Sequence, residues 1–379
     1  MTTSEFPIVG IGASAGGIEA FHGFFERMPA DSGMAFVLIL HLPPDRKSML
    51  KGILTRWTSM PVIDVSERTQ IRPDHIYLPP PHALVTVSDG HLSVDRPADE
   101  LERVFRPIDA LFGSLASGLR ERAVGIVLSG TGTDGALGLK AIKECGGLTM
   151  AQGIDGSAPA YGEMPAGAIA TGAVDVVTPL EKMPEYLVRL KGGLPLPLAA
   201  DDGADEMNAM RLEICDILRR RLGHDFSDYR SQTFLRRVAR RMQVTDAAST
   251  ADYIATLKAN PDEVTCLFRD LLIRVTSFFR DQDAFASLAQ RVIPNLFEGK
   301  TAGDLVKVWV PGCATGEEAY SLAMLLREYL DSDAAAPKVQ LFATDIDEAA
   351  ITTARQGHYP KALLDGLSEQ RRNRFFSFS

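Results

Sequence analysis

Three apolar runs, each ending in a glycine-rich or histidine-bearing turn, constrain this chain more than any other feature. Pro7–Ile11 leads into Gly12–Gly17, Ala35–Leu40 into His41–Pro44, and Ala123–Leu128 into Ser129–Gly135. Short, continuous apolar runs are the pattern of strands buried on both faces, as in a parallel sheet. In an open parallel sheet the carboxyl ends of the strands share one edge, and ligands bind there. Ser14, His41 and Asp134, far apart in sequence, are therefore expected to meet at that edge. They are the residue types of an activated serine nucleophile.

The rest of the chain narrows the class. A length of 379 residues predicts two or three domains with sizeable cores. The net charge of -9 argues against a general nucleic-acid binder, and no nucleic-acid partner is expected. Cys145, Cys215, Cys266 and Cys313 are scattered without a CxxC pair, so neither a disulfide framework nor a metal site is expected. The first residues lack a charged segment followed by an apolar stretch, and no apolar run is long enough to span a bilayer. The expectation is a cytoplasmic protein that does not insert into membranes.

Residues 1–192 alternate strand-like and helix-like segments. Ile18, Phe21, Phe25 and Met28 hold helical spacing after the first strand, and a helix is expected around Lys47–Trp57. Ala83–Val87 and His91–Asp95 are alternating runs around Asp89-Gly90, the signature of a β-hairpin. Helix Pro107–Arg120, strand Ala123–Leu128, helix Ala136–Glu144 and strand Leu148–Ala151 follow. This predicts an α/β domain: a doubly wound, mostly parallel sheet with an inserted β-hairpin. Glycine, proline and acid over residues 193–208 mark a linker. Beyond it come arginine-rich helices, Met210–Leu222, Thr233–Val244, Asp252–Ala259 and Glu263–Ile273. Only then does a strand, Leu305–Val310, open the turn Gly312–Glu318 and a helix, with a second strand Val339–Thr344 ending at Asp345.

At the first site a serine hydroxyl needs a base, and the base needs an orienting group. Ser14 falls in a strand-to-helix turn, where backbone N–H groups stabilise an oxyanion. His41 would take its proton and Asp134 would hold the imidazole tautomer. Duller readings stand beside this one. Ser14 and Asp134 are also good helix N-caps, and His41 also reads as a hydrogen-bonded strand-end histidine. Gly10–Ala15 fits the dinucleotide fingerprint G-x-G-x-x-G/A, but the second strand ends in His41 rather than the acid that holds a ribose. An α/β-hydrolase is disfavoured because G-x-S-x-G is absent and the order is Ser…His…Asp.

Ile11–Gly17, Leu40–Pro43 and Leu128–Gly135, together with Gln152, Met164-Pro165 and Gly172–Val176, resemble the bacterial chemotaxis protein-glutamate methylesterases. The resemblance covers residues 5–190. It implies a triad of Ser14, His41 and Asp134, backbone oxyanion donors near Ala15 and Thr131, and no cofactor. The implied reaction is hydrolysis of glutamate γ-methyl esters on chemoreceptor helices, with glutamine deamidation in relatives. Many relatives carry Thr where this chain has Ala15, and Met where it has Thr131. Altered efficiency rather than loss is expected from both. The family's regulatory members begin with a receiver domain; here the resemblance starts at the first residues, so phosphorylation in cis is not expected.

The second region is read in the same way. Arg219, Arg220, Arg221, Arg236, Arg237, Arg240 and Arg241 form a basic helical surface, for which a solvated face is the plain alternative. A glycine turn after one strand and Asp345 ending the next suit a nucleoside ligand. With Val275–Asp281 ahead of them, these segments resemble the chemotaxis receptor methyltransferases, which use S-adenosylmethionine. The resemblance spans residues 210–379 and implies a helical domain over 209–295 and the first part of a Rossmann-like methyltransferase domain over 296–379. Thr276, Arg280, Glu317 and Asp345 would contact the cofactor, and the arginine-rich helices would dock on methyl-accepting chemoreceptors. Arg274 stands where relatives often have Asn. The later strands of that family are missing, so little methyltransferase activity is expected from this chain alone. Two rivals complete the set of expectations: a non-catalytic receptor-binding signalling module and a nucleotide-binding protein. No oligomeric state follows from these patterns.

Overall fold

The computed structural model describes residues 6–41, 50–96, 105–154, 158–191, 204–229, 231–245, 247–272, 276–331, 337–364 and 366–377. Leu42–Pro44, the start of the helix expected at Lys47, most of the 193–208 linker, and Arg274-Val275 lie outside the described residues. The chain divides into two compact units, Met1–Leu272 and Ile273–Ser379.

The first unit is built on a sheet of seven strands, all parallel, with three further strands beside it. In chain order the strands are β1 (Ile8–Ala13), β2 (Ala35–Leu40), β3 (Val62–Asp64), β4 (Arg68–Gln70), β5 (His75–Leu78), β6 (Leu84–Ser88), β7 (His91–Asp95), β8 (Ala123–Val127), β9 (Leu148–Gln152) and β10 (Val176–Thr178). The large sheet runs β10-β9-β8-β1-β2-β5-β3, and β4, β7 and β6 form a separate antiparallel sheet. The expected hairpin is thus present as β6 and β7, with β4 added to it as a third strand. Sequence patterning passed over β3, β5 and β10, because strands of three or four residues carry too little periodicity to register.

Every residue of β1 is buried, as a strand covered on both faces must be. Val9, Ile11 and Ala13 join Phe21, Phe24 and Leu187 in one core. On the other face Gly10 and Gly12 lie under the helix Pro107–Leu119. A Cβ on Gly10 would stand 2.8 Å from Phe112 and Leu115, and one on Gly12 would stand 2.5 Å from Ile108. These glycines therefore let a helix approach the sheet closely. That use also accounts for the dinucleotide-like spacing without a nucleotide.

The unit continues into helices Ala204–Leu222, Ser231–Val244, Thr250–Ala259 and Pro261–Leu271, which enclose a core of Ile214, Leu218, Phe234, Val238 and Tyr253. The second unit contains a parallel pair, β11 (Leu305–Pro311) and β12 (Lys338–Thr344), and the helix Glu317–Leu330 after β11. No helix among the described residues is long and apolar enough to cross a membrane.

Candidate active site

Strand register brings the three predicted residues to one end of the large sheet. Ala13 pairs with Leu40, and the His41 N–H donates to the Ala13 carbonyl at 3.1 Å. On the other side of β1 the Ser14 N–H donates to the Ser129 carbonyl at 3.0 Å. Ser14 therefore leaves the sheet between the β2 and β8 turns, one of which carries His41 and the other Asp134.

Neither Ser14 nor Asp134 caps a helix. The caps are Gly16 (φ 72°) and Gly135 (φ 92°), both left-handed and without a side-chain cap. Asp134 instead accepts a full set of hydrogen bonds. Its Oδ2 takes His41 Nε2 at 2.9 Å and the Ile108 N–H at 2.9 Å; its Oδ1 takes the N–H groups of Asp109 and Gly135, each at 2.9 Å. Two of those donors open the helix Pro107–Leu119, whose N-terminal dipole favours an anion. Asp134 is buried, with its side chain 7 % exposed, and His41 remains 29 % exposed. Because Asp134 occupies Nε2, the imidazole presents Nδ1 as its remaining proton acceptor.

The turns are cross-tied. The Ser129 hydroxyl donates to the Ala15 carbonyl at 2.9 Å and accepts the Tyr161 N–H at 3.0 Å, while the Ser129 N–H donates to Gln152 Oε1 at 3.0 Å. Gly130 and Gly132 give their N–H groups to the Tyr161 carbonyl and to Glu163 Oε2. Among the described residues, none accepts from the N–H of Ala15 or Thr131. Sequence reasoning passed over Arg106, Asp109 and Ser129. An Arg-Pro-x-Asp stretch opening a helix reads as ordinary capping, since Pro at N1 and an acid in the first turn suffice to explain it.

The second unit places its candidates unequally. The turn after β11 and the end of β12 meet: the Ala314 N–H donates to Asp345 Oδ2 at 2.8 Å, and the Cys313 N–H to the Thr344 carbonyl. Asp345 is half-buried, whereas Glu317 is fully buried and accepts the Thr315 hydroxyl at 2.5 Å. Thr276 is buried and Arg280 exposed. Burial and the Glu317 carboxylate push the Tyr359 phenol well above its usual range, and its hydroxyl donates to the Thr315 carbonyl at 2.7 Å. A cavity of about 270 Å³, lined by Gly316, Tyr320, Leu341, Ala343 and Ile351, lies beside the turn.

The arginine-rich surface is only partly free. Arg241 makes a two-pronged ion pair with Glu263 at 2.9 and 2.6 Å, and Tyr253 donates to the same carboxylate at 2.8 Å. Arg240 pairs with Asp175, and the buried Arg237 reaches the Lys143 carbonyl. Arg219 and Arg220 stay exposed. The side chain of Arg236 lies outside the described residues.

The fold and its turns define the class: a doubly wound α/β domain, a helical domain and a βα unit of nucleoside-binding type. Within that class the chain matches the CheB methylesterase family over residues 9–187. It matches the CheR methyltransferase family's all-alpha domain over 212–272 and its SAM-binding domain over 274–379. It is therefore a fusion of a CheB-type esterase domain with CheR-type domains. An uncharacterized 104.1 kDa protein of Rhodobacter capsulatus is 36% identical over 352 residues, 86% of this chain and 36% of that protein. A protein-glutamate methylesterase/protein-glutamine glutaminase of Xanthomonas campestris is 38% identical over 186 residues, 48% of this chain and 51% of its own length. The crystal structure of the Thermotoga maritima CheB methylesterase catalytic domain aligns with a TM-score of 0.45 and 26% identity, covering 49% of this chain and 99% of that one. The chain thus spans a third to a half of the length of these curated relatives.

Proposed function

We propose that the carboxyl edge of the large sheet is a serine esterase site that hydrolyses glutamate γ-methyl esters on chemoreceptors. The observation that carries the reading is the His41 Nε2–Asp134 Oδ2 contact at 2.9 Å beside the turn from which Ser14 emerges. Ser14 Oγ attacks the ester carbonyl while His41 Nδ1 takes its proton; Asp134 holds Nε2–H and stabilises the imidazolium. The N–H groups of Ala15 and Thr131 receive the oxyanion. His41 returns the proton to methoxide and methanol leaves; a water deprotonated by His41 then attacks the acyl-enzyme, and Ser14 Oγ departs with that proton from His41 as the free carboxylate forms. A side-chain amide at the same carbonyl position would lose ammonia by the same steps, which makes glutamine deamidation the companion reaction. No metal or cofactor enters these steps.

In the second unit Asp345 would hold the ribose hydroxyls of S-adenosylmethionine, and the Gly312–Gly316 turn would lie against the nucleoside. Bound there, the cofactor would supply an electrophilic methyl group. The exposed Arg219, Arg220 and Arg221, the first two also paired with Asp216, would face acidic receptor helices on the cytoplasmic side of the membrane. The test is methanol release from membranes whose receptors carry labelled glutamate methyl esters. Release that disappears with Ser14→Ala supports the reading. Equal release from both proteins, or none from a folded wild type, overturns it; a folded, inactive chain would point to a receptor-binding role.

A further inference from the structure

Behind the triad acid lies a second carboxyl group that the proposed mechanism leaves unused. Asp109, in the first turn of the helix Pro107–Leu119, is only 13 % exposed at its side chain. Its N–H holds Asp134 Oδ1, and its own Oδ1 accepts the Gly138 N–H at 2.7 Å. Arg106 Nε lies 2.8 Å from Asp109 Oδ2 and 3.9 Å from Asp134 Oδ1. The other arm of the same guanidinium donates to the Thr133 carbonyl at 2.9 Å and to its hydroxyl at 3.1 Å. One arginine thus stands within ion-pair distance of both carboxylates and holds the turn that carries Thr131. Close approach of the two helices makes this possible: a Cβ on Gly138 would lie 3.1 Å from Asp109 Cα.

We infer that Arg106 and Asp109 are positioning residues of the esterase: Arg106 locks the Thr131–Asp134 turn, and Asp109 sets the charge that Asp134 presents to His41. The inference rests on the proposed roles of Ser14, His41 and Asp134. A salt bridge alone would keep Asp109 ionised. Burial, followed by the adjacent Asp134, outweighs Arg106 and the Gly138 N–H and pushes Asp109 up to about 7. Among the described residues the charged groups that face it are few. Arg106 comes from its own helix, Asp134 from the β8 turn, and His41 stands beyond Asp134. Strands β1, β6 and β8, against which this helix packs, carry no titratable residue. Lys140 sits two residues past Gly138, about 200° around the facing helix, and so on its far side. Near neutrality Asp109 gains a negative charge behind Asp134. That charge strengthens the hold on the imidazolium that forms as Ser14 attacks.

The test is the pH profile of kcat and KM for methanol release from methylated receptor membranes between pH 5 and 9. The full chain would be compared with Asp109→Asn, Arg106→Met and Arg106→Lys. Asp109→Asn is expected to lower kcat about 10-fold above pH 7 with KM unchanged, and to remove one ionisation from the acid limb. Arg106→Met is expected to lower kcat at every pH, with partial recovery in Arg106→Lys. The inference is overturned if the normalised Asp109→Asn profile superimposes on the wild type, or if only KM changes. If Asp109→Asn does not fold, an Arg106→Met profile with wild-type kcat overturns it equally. Ser14→Ala separates the two levels: an active Ser14→Ala sinks the esterase reading itself, whereas an inactive one with superimposed Asp109→Asn profiles sinks only this inference.

Discussion

The chain uses one local device twice, and the two copies are not equally built. In both, a parallel strand ends in a glycine turn and a neighbouring turn supplies an acid. In the first unit, β1 is buried along its whole length between β2 and β8, and Asp134 accepts four hydrogen bonds. In the second, β11 and β12 form a sheet of two strands. Trp309 is 67 % exposed, and its register partner Phe342 is 44 % exposed. One face of this pair leaves Trp309 and Phe342 exposed, while Val306 and Val310 on the other are buried.

The largest effect expected from this contrast lies at Ser14, the proposed nucleophile. Ser14→Ala should lower methanol release by about 10³- to 10⁴-fold with the circular dichroism spectrum unchanged. Retained activity would place the chemistry elsewhere and dissolve the comparison.

Core truncation probes the two sheets directly. Ile11, fully buried in β1, should cost about 2–5 kcal/mol when changed to Ala, whereas Trp309→Ala should stay within about 0.5 kcal/mol in chemical denaturation. Similar costs at both sites would mean that the β11–β12 face is covered in solution.

The glycine turns sharpen the contrast. A Cβ on Gly130 would strike Met164 Sδ and stand 2.9 Å from Ser14 Cβ, so Gly130→Ala should displace Ser14 and reduce kcat about 10²-fold. Gly312 (φ 66°) has open space around its Cα, and Gly312→Ala should cost only about 1 kcal/mol of backbone strain. A Gly130→Ala variant with full kcat would show that the β8 turn yields freely.

The smallest expected effect is a pH dependence of stability. With its pKa raised from 3.8 to about 7, Asp109 binds more protons folded than unfolded between those values. Its contribution is therefore fully present below pH 4 and is lost as pH rises through 7. Wild type should lose stability relative to Asp109→Asn between pH 5 and 8. Thermal unfolding at both pH values reads this directly, and parallel curves would show that Asp109 stays ionised.

What was legible in the residues, and what was not, follows from range. Ala35–Leu40 and Ala136–Glu144 appear with the bounds their patterns predict, since periodicity and glycine caps are local properties. The meeting of Ser14, His41 and Asp134 was also within reach, because parallel strands must end on a common edge. The strands Val62–Asp64 and His75–Leu78 were not, being too short to show a period and held by pairing with distant partners. Sequence also suggested helix caps for Ser14 and Asp134. Only the tertiary arrangement turned Asp134 toward the start of the helix Pro107–Leu119, since its donors there lie about 25 residues away. The same holds for the arginines. Their clustering is written in the chain, but which are consumed by buried acids, as Arg241 is by Glu263, depends on helix packing. The sequence by itself determined the parallel sheet and the three residues at its edge, through local apolar patterning and turn chemistry. The tertiary structure alone decided how Asp134 is held and how Arg106 and Asp109 stand behind it. Those contacts exist only once helices far apart in the chain have packed on the same sheet.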